Sequence, residues 1–175
     1  MRKKFLFIIL TILITSACAT TPISNRSALI LIPQSQEITL GKQSYEQILK
    51  KEKESEDANL TQIVSRVGQR IVAVSDMPKL DWEFKLIESD TKNAFALPGG
   101  KVAIYTGLLS VAKNEAGLAT IMSHEIAHVI ARHGAQRMTQ QILLQGVMLG
   151  AGYTYNFNAE GYYSIYIGFN PFNKK

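Results

Sequence analysis

His124-Glu125-Ile126-Ala127-His128 is the stretch whose residue types and spacing spell out a reaction. An α-helix turns about 100° per residue, so histidines four apart stack on one face and both imidazoles can reach one ion. Neutral imidazole is a good zinc ligand, and zinc brings the pKa of a water down toward about 7. Glu125, offset from the first histidine, can take a proton from that water and hand it to a leaving amine, which is the chemistry of peptide-bond hydrolysis. A string of this kind arises by accident in roughly one chain of this length in a few hundred. The competing reading is two surface histidines and a glutamate with no metal. On a continuing helix His133 points about 140° away from His128. Ala131 and Gly134 also stand where a three-histidine pattern needs glycine and histidine. His133 is therefore expected at the surface or behind a ligand, and the remaining common ligand set is two histidines plus a carboxylate from a different helix.

Elements able to hold this string can be read around it. Asn114 can cap a helix running to about residue 132 or 133, with Ile121, Ile126 and Val129 to pack it and Gly134 to stop it. A short helix is expected just before it at Leu108, Leu109 and Val111. Upstream, Trp82, Phe84 and Leu86 alternate with Glu83, Lys85 and Ile87, the periodicity of a strand with one buried face. Residues 93–97 lead through Pro98-Gly99-Gly100 into residues 101–105, two strands joined by a tight turn. The expectation is an α+β fold with the helix of the histidines packed on a small antiparallel sheet. Leu60, Ile63, Val64, Val67, Ile71 and Val74 follow helical spacing, with Asp57 or Asn59 as cap and Met77-Pro78 as the stop. Residues 36 to about 56 read as a helix ending in a solvated charge run.

The chain opens with Arg2, Lys3 and Lys4, an apolar run over residues 5–14, and Thr15-Ser16-Ala17-Cys18. This is the three-part pattern of a secretory signal, too short for a transmembrane helix of about 20 apolar residues. Cys18 stands where a bacterial lipobox would be cut and lipidated, although Thr15 departs from the leucine preferred there. An uncut anchor or a simple secreted protein with a free thiol are the alternatives. The division expected is a signal peptide over 1–17, a lipid-anchored tether over 18–35 with an apolar docking patch at residues 28–32, a catalytic domain over 36–152 and an atypical tail over 153–175. The formal charge of +5 from 19 basic and 14 acidic residues falls to +2 without the three basic residues of the signal. No basic stripe with interleaved aromatics remains, so nucleic acid is disfavoured as a partner.

Two strings, one over residues 93–109 with Asn-Ala-Phe-Ala-Leu-Pro-Gly-Gly at its start and the other over residues 118–133 with His-Glu-Ile-Ala-His, resemble the zinc metallopeptidases of the HtpX and CAAX-prenyl-protease family. The likeness covers about residues 28–140 and is strongest to the periplasmic, Oma-like lipoprotein branch with the LoiP and BepA types; Glu37, Gly41 and Tyr45 are similar to that branch too. The resemblance implies a zincin-like fold of the gluzincin type and one Zn2+ per chain held by His124 and His128. It implies Glu125 as general base and substrate laid along an edge strand that includes Val102, Ala103, Ile104 and Tyr105. It further implies cleavage of unfolded or misfolded envelope polypeptides by a periplasm-facing protein anchored through Cys18, with the outer membrane favoured by Ala19. The family's third ligand is a glutamate in a Glu-Ala-Asp motif downstream, and this chain has none. Glu160 is the only carboxylate side chain after Glu125. It is read either as that ligand or as a solvated loop residue. The chain is thus expected to stop short of the full family pattern. The alternative function is a catalytically inactive lipoprotein acting as a binding or chaperone-like module.

Overall fold

The computed structural model describes the backbone of residues 18–20 and 27–150, with side chains from 28 to 146. The signal over 1–17, the Cys18 side chain, Glu160 and the tail over 153–175 lie outside the described residues. Among the described residues, no helix is long and apolar enough to cross a membrane.

Strand β1 (Cys18–Thr20) pairs antiparallel with β2 (Ser27–Leu29), so the segment read as a tether carries a short strand pair. The expected docking of its apolar patch is present. Ile32 packs on Ala135 and Met138, and the Leu31 amide donates to Thr139 Oγ1 at 3.0 Å. Helix α1 (Gln34–Lys51) follows, then α2 (Ala58–Ala73), whose cap is Asp57, accepting from the Leu60 amide. This helix ends four residues before Met77 because Val74 leaves helical geometry and its amide turns back on Ile71 and Val72.

Three strands form the sheet: β3 (Glu83–Ile87), β4 (Ala94–Leu97) and β5 (Lys101–Tyr105), in the spatial order β3-β5-β4. Gly99 and Gly100 adopt φ of 85° and 81°, a conformation that side chains resist, and so close the turn between β4 and β5. The sheet is mixed and not antiparallel throughout, since β3 runs parallel to β5. Residues 88–93 carry the chain past the end of the sheet, and the hairpin then returns β5 to the side of β3.

Helices cover both faces. Val102 and Ile104 join Phe84 and Leu86 in a core with Val64 and Val67 of α2 and Met122 and Ile126 of α4 (Glu115–Ile130). Ala103 and Tyr105 face the other way with Phe95 and Leu97, against Tyr45 and Ile48 of α1. Helix α3 (Thr106–Ala112) leads from β5 into α4, and α5 (His133–Gly150) follows. The expected packing of the histidine helix on a sheet is therefore what the fold delivers.

Candidate active site

Asn114 starts α4 by accepting the Gly117 amide at 2.9 Å. Leu118, Met122, Ile126 and Ile130 recur every four residues and are buried, which anchors one side of the helix and turns another outward. On the outward side His124 is exposed, while Glu125 and His128 are half-buried. The Nε2 atoms of His124 and His128 lie 3.0 Å apart. Two nitrogens on one tetrahedral zinc, at about 2.05 Å each, stand roughly 3.3 Å apart, so the pair fits such an ion as it is. Among the described residues no group of three His, Cys, Asp or Glu side chains gathers round an ion. The structure thus brings together two nitrogens of the kind the expected set requires.

Burial pushes the Glu125 carboxyl up to about 7, with the charge of Arg137 pulling the other way. A carboxyl poised there can both accept and return a proton near neutrality. Burial, aided by the charges of His124, His133 and Arg137, brings His128 down to about 4, which keeps its imidazole neutral at physiological pH as a ligand must be.

The turn after α4 differs from the expectation. The helix stops at Ile130, two or three residues short of the expected 132 or 133, and Arg132 rather than Gly134 takes a left-handed φ, of 53°. Arg132 tolerates this because its Nε donates to Glu37 Oε2 at 2.9 Å and its Nη2 donates to the Ile32 carbonyl at 3.2 Å. The reversal swings His133 round, so that its Nδ1 meets Nδ1 of His128 at 2.5 Å. The angle reckoned on a continuing helix fails, yet His133 does stand behind a candidate ligand.

The histidines open onto a cleft lined also by Phe95, Ala96 and Pro98 and, from α5, by Arg137. The strand expected to receive substrate is not an edge strand. Val102 to Tyr105 belong to β5, the middle strand, whose backbone is paired on both sides, so nothing remains for an added strand. The outer side of β3 is partly taken by a bridge between Glu54 and Ile87. Strand β4 holds the other edge, beside the cleft. Tyr105 donates to the Asn93 carbonyl, which puts Asn93, Phe95 and Leu97 in the bonded positions of the ladder. The backbone groups of Ala94 and Ala96 consequently point away from β5.

Arg137 was not foreseen, because nothing in its local sequence marks it; only the turn at Arg132 brings it to the cleft. Glu37, Gly41 and Tyr45, noticed only through a resemblance, acquire physical roles. Glu37 binds Arg132, Gly41 lets α1 lie against Pro98, and Tyr45 is buried beneath the sheet.

The pattern of Peptidase family M48 matches residues 57–170, beginning after α1 and running past residue 140, where the likeness noted in the sequence ends. Among curated proteins, the mitochondrial metalloendopeptidase OMA1 of Schizosaccharomyces pombe is 41% identical over 123 residues, covering 67% of this chain and 36% of that protein. The beta-barrel assembly-enhancing protease of Escherichia coli is 35% identical over 122 residues, covering 70% of this chain and 25% of that protein. The OMA1 of Saccharomyces cerevisiae is 32% identical over 133 residues, 68% of this chain and 39% of that protein. The chain thus spans between a quarter and two fifths of the length of these relatives.

Proposed function

The chain belongs to peptidase family M48, and from that premise we propose that it is a zinc-dependent endopeptidase acting on unfolded or misfolded polypeptides of a bacterial envelope. The observation that carries the reading is the pair of Nε2 atoms 3.0 Å apart, in a cleft that Glu125 also lines and that strand β4 of the sheet edge borders. His124 and His128 hold one Zn2+, which acts when bound as a Lewis acid on the scissile carbonyl. The third donor is a residue outside the described ones, with Glu160 the candidate within this chain. An extended peptide adds to β4 through the backbone of Ala94 and Ala96, which suits a protease for unfolded chains because main-chain pairing ignores side-chain identity. Glu125 removes a proton from the attacking water as the oxygen bonds to the carbonyl carbon. It then gives that proton to the amide nitrogen as the C–N bond breaks.

A relative named as a beta-barrel assembly-enhancing protease supports the envelope setting, and the pattern around Cys18 supports a lipid anchor facing the periplasm, with the outer membrane favoured. A second reading, a binding or chaperone-like lipoprotein without catalysis, draws on the two-donor set among the described residues. The two are separated by incubating the purified chain with an unfolded protein before and after chelation, then after zinc is restored. The protease reading expects cleavage that stops with the chelator and returns with zinc. Binding without cleavage in all three states favours the second reading.

A further inference from the structure

A neutral imidazole carries one N–H, on either Nδ1 or Nε2, and only the nitrogen without it can bind a metal. His128 turns its Nε2 toward His124 and its Nδ1 toward His133. Two nitrogens 2.5 Å apart need one hydrogen between them. Two hydrogens would collide, and none would set lone pair against lone pair. If His128 binds an ion through Nε2, the shared hydrogen belongs to its own Nδ1 and His133 is the acceptor.

What keeps His133 in place lies elsewhere in the chain. The Glu37 carboxylate, on α1 and with its side chain 5% exposed, accepts from Arg132 Nε at 2.9 Å. It also accepts from the backbone N–H of Ala135, in the first turn of α5. A carboxylate there satisfies an orphan donor and opposes the positive end of the helix. Arg132 adds the Ile32 carbonyl as a second anchor. One buried acid thus fixes both the left-handed residue before α5 and the start of the helix that begins with His133.

We propose that His133 is a positioning residue for the metal site, accepting the Nδ1–H of His128 so that the Nε2 lone pair faces the ion, and that the Glu37–Arg132 clamp holds His133 to that task. The inference rests on the reading of His124 and His128 as ligands. Partners of this kind fix tautomer and ring orientation, and their loss typically costs about 10–100-fold in metal affinity.

The test is zinc affinity of the full chain by competition with a chromophoric chelator, together with the His128 tautomer from long-range proton–nitrogen NMR. His133→Phe keeps bulk and removes the acceptor, and is expected to weaken zinc about 10–100-fold and to release the Nδ1–H preference. His133→Asn places an amide oxygen near the old Nδ1 position and restores most of the affinity. Arg132→Gly keeps the left-handed backbone but loses the clamp, and weakens zinc like His133→Phe. Zinc affinity within about twofold of wild type in His133→Phe overturns the inference, as does an Asn variant no better than Phe. An unaffected Arg132→Gly removes the clamp from it. His128→Ala distinguishes the underlying reading: if it binds zinc as well as wild type, the ligand assignment itself has failed.

Discussion

Replacing Gly41 with alanine tests how α1 sets the wall of the cleft. A Cβ built at Gly41 stands 2.2 Å from the Pro98 carbonyl oxygen and 2.9 Å from its carbon, where ordinary contact begins at 3.4 Å. Relief needs a shift of about 1 Å. The obstacle is backbone, leading straight into Gly99 and Gly100, so no side-chain rotation supplies that shift. Overpacking of this kind costs about 1–3 kcal/mol. Because Pro98 and Ala96 line the cleft, moving the turn also moves the β4 edge relative to His124. A misplacement of about 1 Å in a reacting geometry can cost roughly 100-fold in rate. Urea unfolding and kcat/KM on an unfolded protein substrate measure the two effects separately. Gly146→Ala serves as a control, since nothing lies within 4 Å of a Cβ there; it should leave activity alone and change stability by no more than about 1 kcal/mol. Should Gly41→Ala match wild type in both assays, or lose stability while the folded fraction keeps full kcat/KM, α1 does not set the cleft wall.

Pairing of substrate along β4 predicts that peptides with alternate amides N-methylated lose affinity, by about 2–13-fold for each backbone hydrogen bond removed at about 0.5–1.5 kcal/mol; equal cleavage of methylated and plain peptides rejects the strand-addition model. Burial outweighs the bond from Arg132 and raises the Glu37 carboxyl above its ordinary 4.5. The folded state therefore holds that proton more tightly than the unfolded chain, so this stabilisation is complete below 4.5 and is lost as pH rises through the folded value. Denaturant melts across that range should show wild type losing stability relative to Glu37→Gln as pH increases, and a parallel pair of curves contradicts the prediction.

The geometry around the candidate site was largely legible because its two signals are local. Four-residue spacing decides that His124 and His128 share a face, and the Pro-Gly-Gly turn fixes the β4–β5 hairpin with little help from the rest of the chain. The parallel neighbour of β5 depended on contacts with residues nearly 20 positions earlier, which alternation in β3 does not encode. One clue was present. Val102-Ala103-Ile104-Tyr105 is apolar without alternation, the mark of a strand covered on both faces, and all four are buried. Arg132 gave no warning, since an arginine in the left-handed region is held there by Glu37 and Ile32, about 100 residues away, and not by any preference of its own. The pairing of β1 and β2 was hidden because three-residue strands carry too few positions for a period to show.

Paired measurement of zinc content and cleavage rate in Glu125→Gln separates proton transfer by Glu125 from metal binding by His124 and His128. Glutamine keeps the shape and loses the base. Zinc content should equal wild type while cleavage falls by at least about 100-fold. Cleavage near the wild-type rate, with zinc still bound, would contradict proton transfer by Glu125.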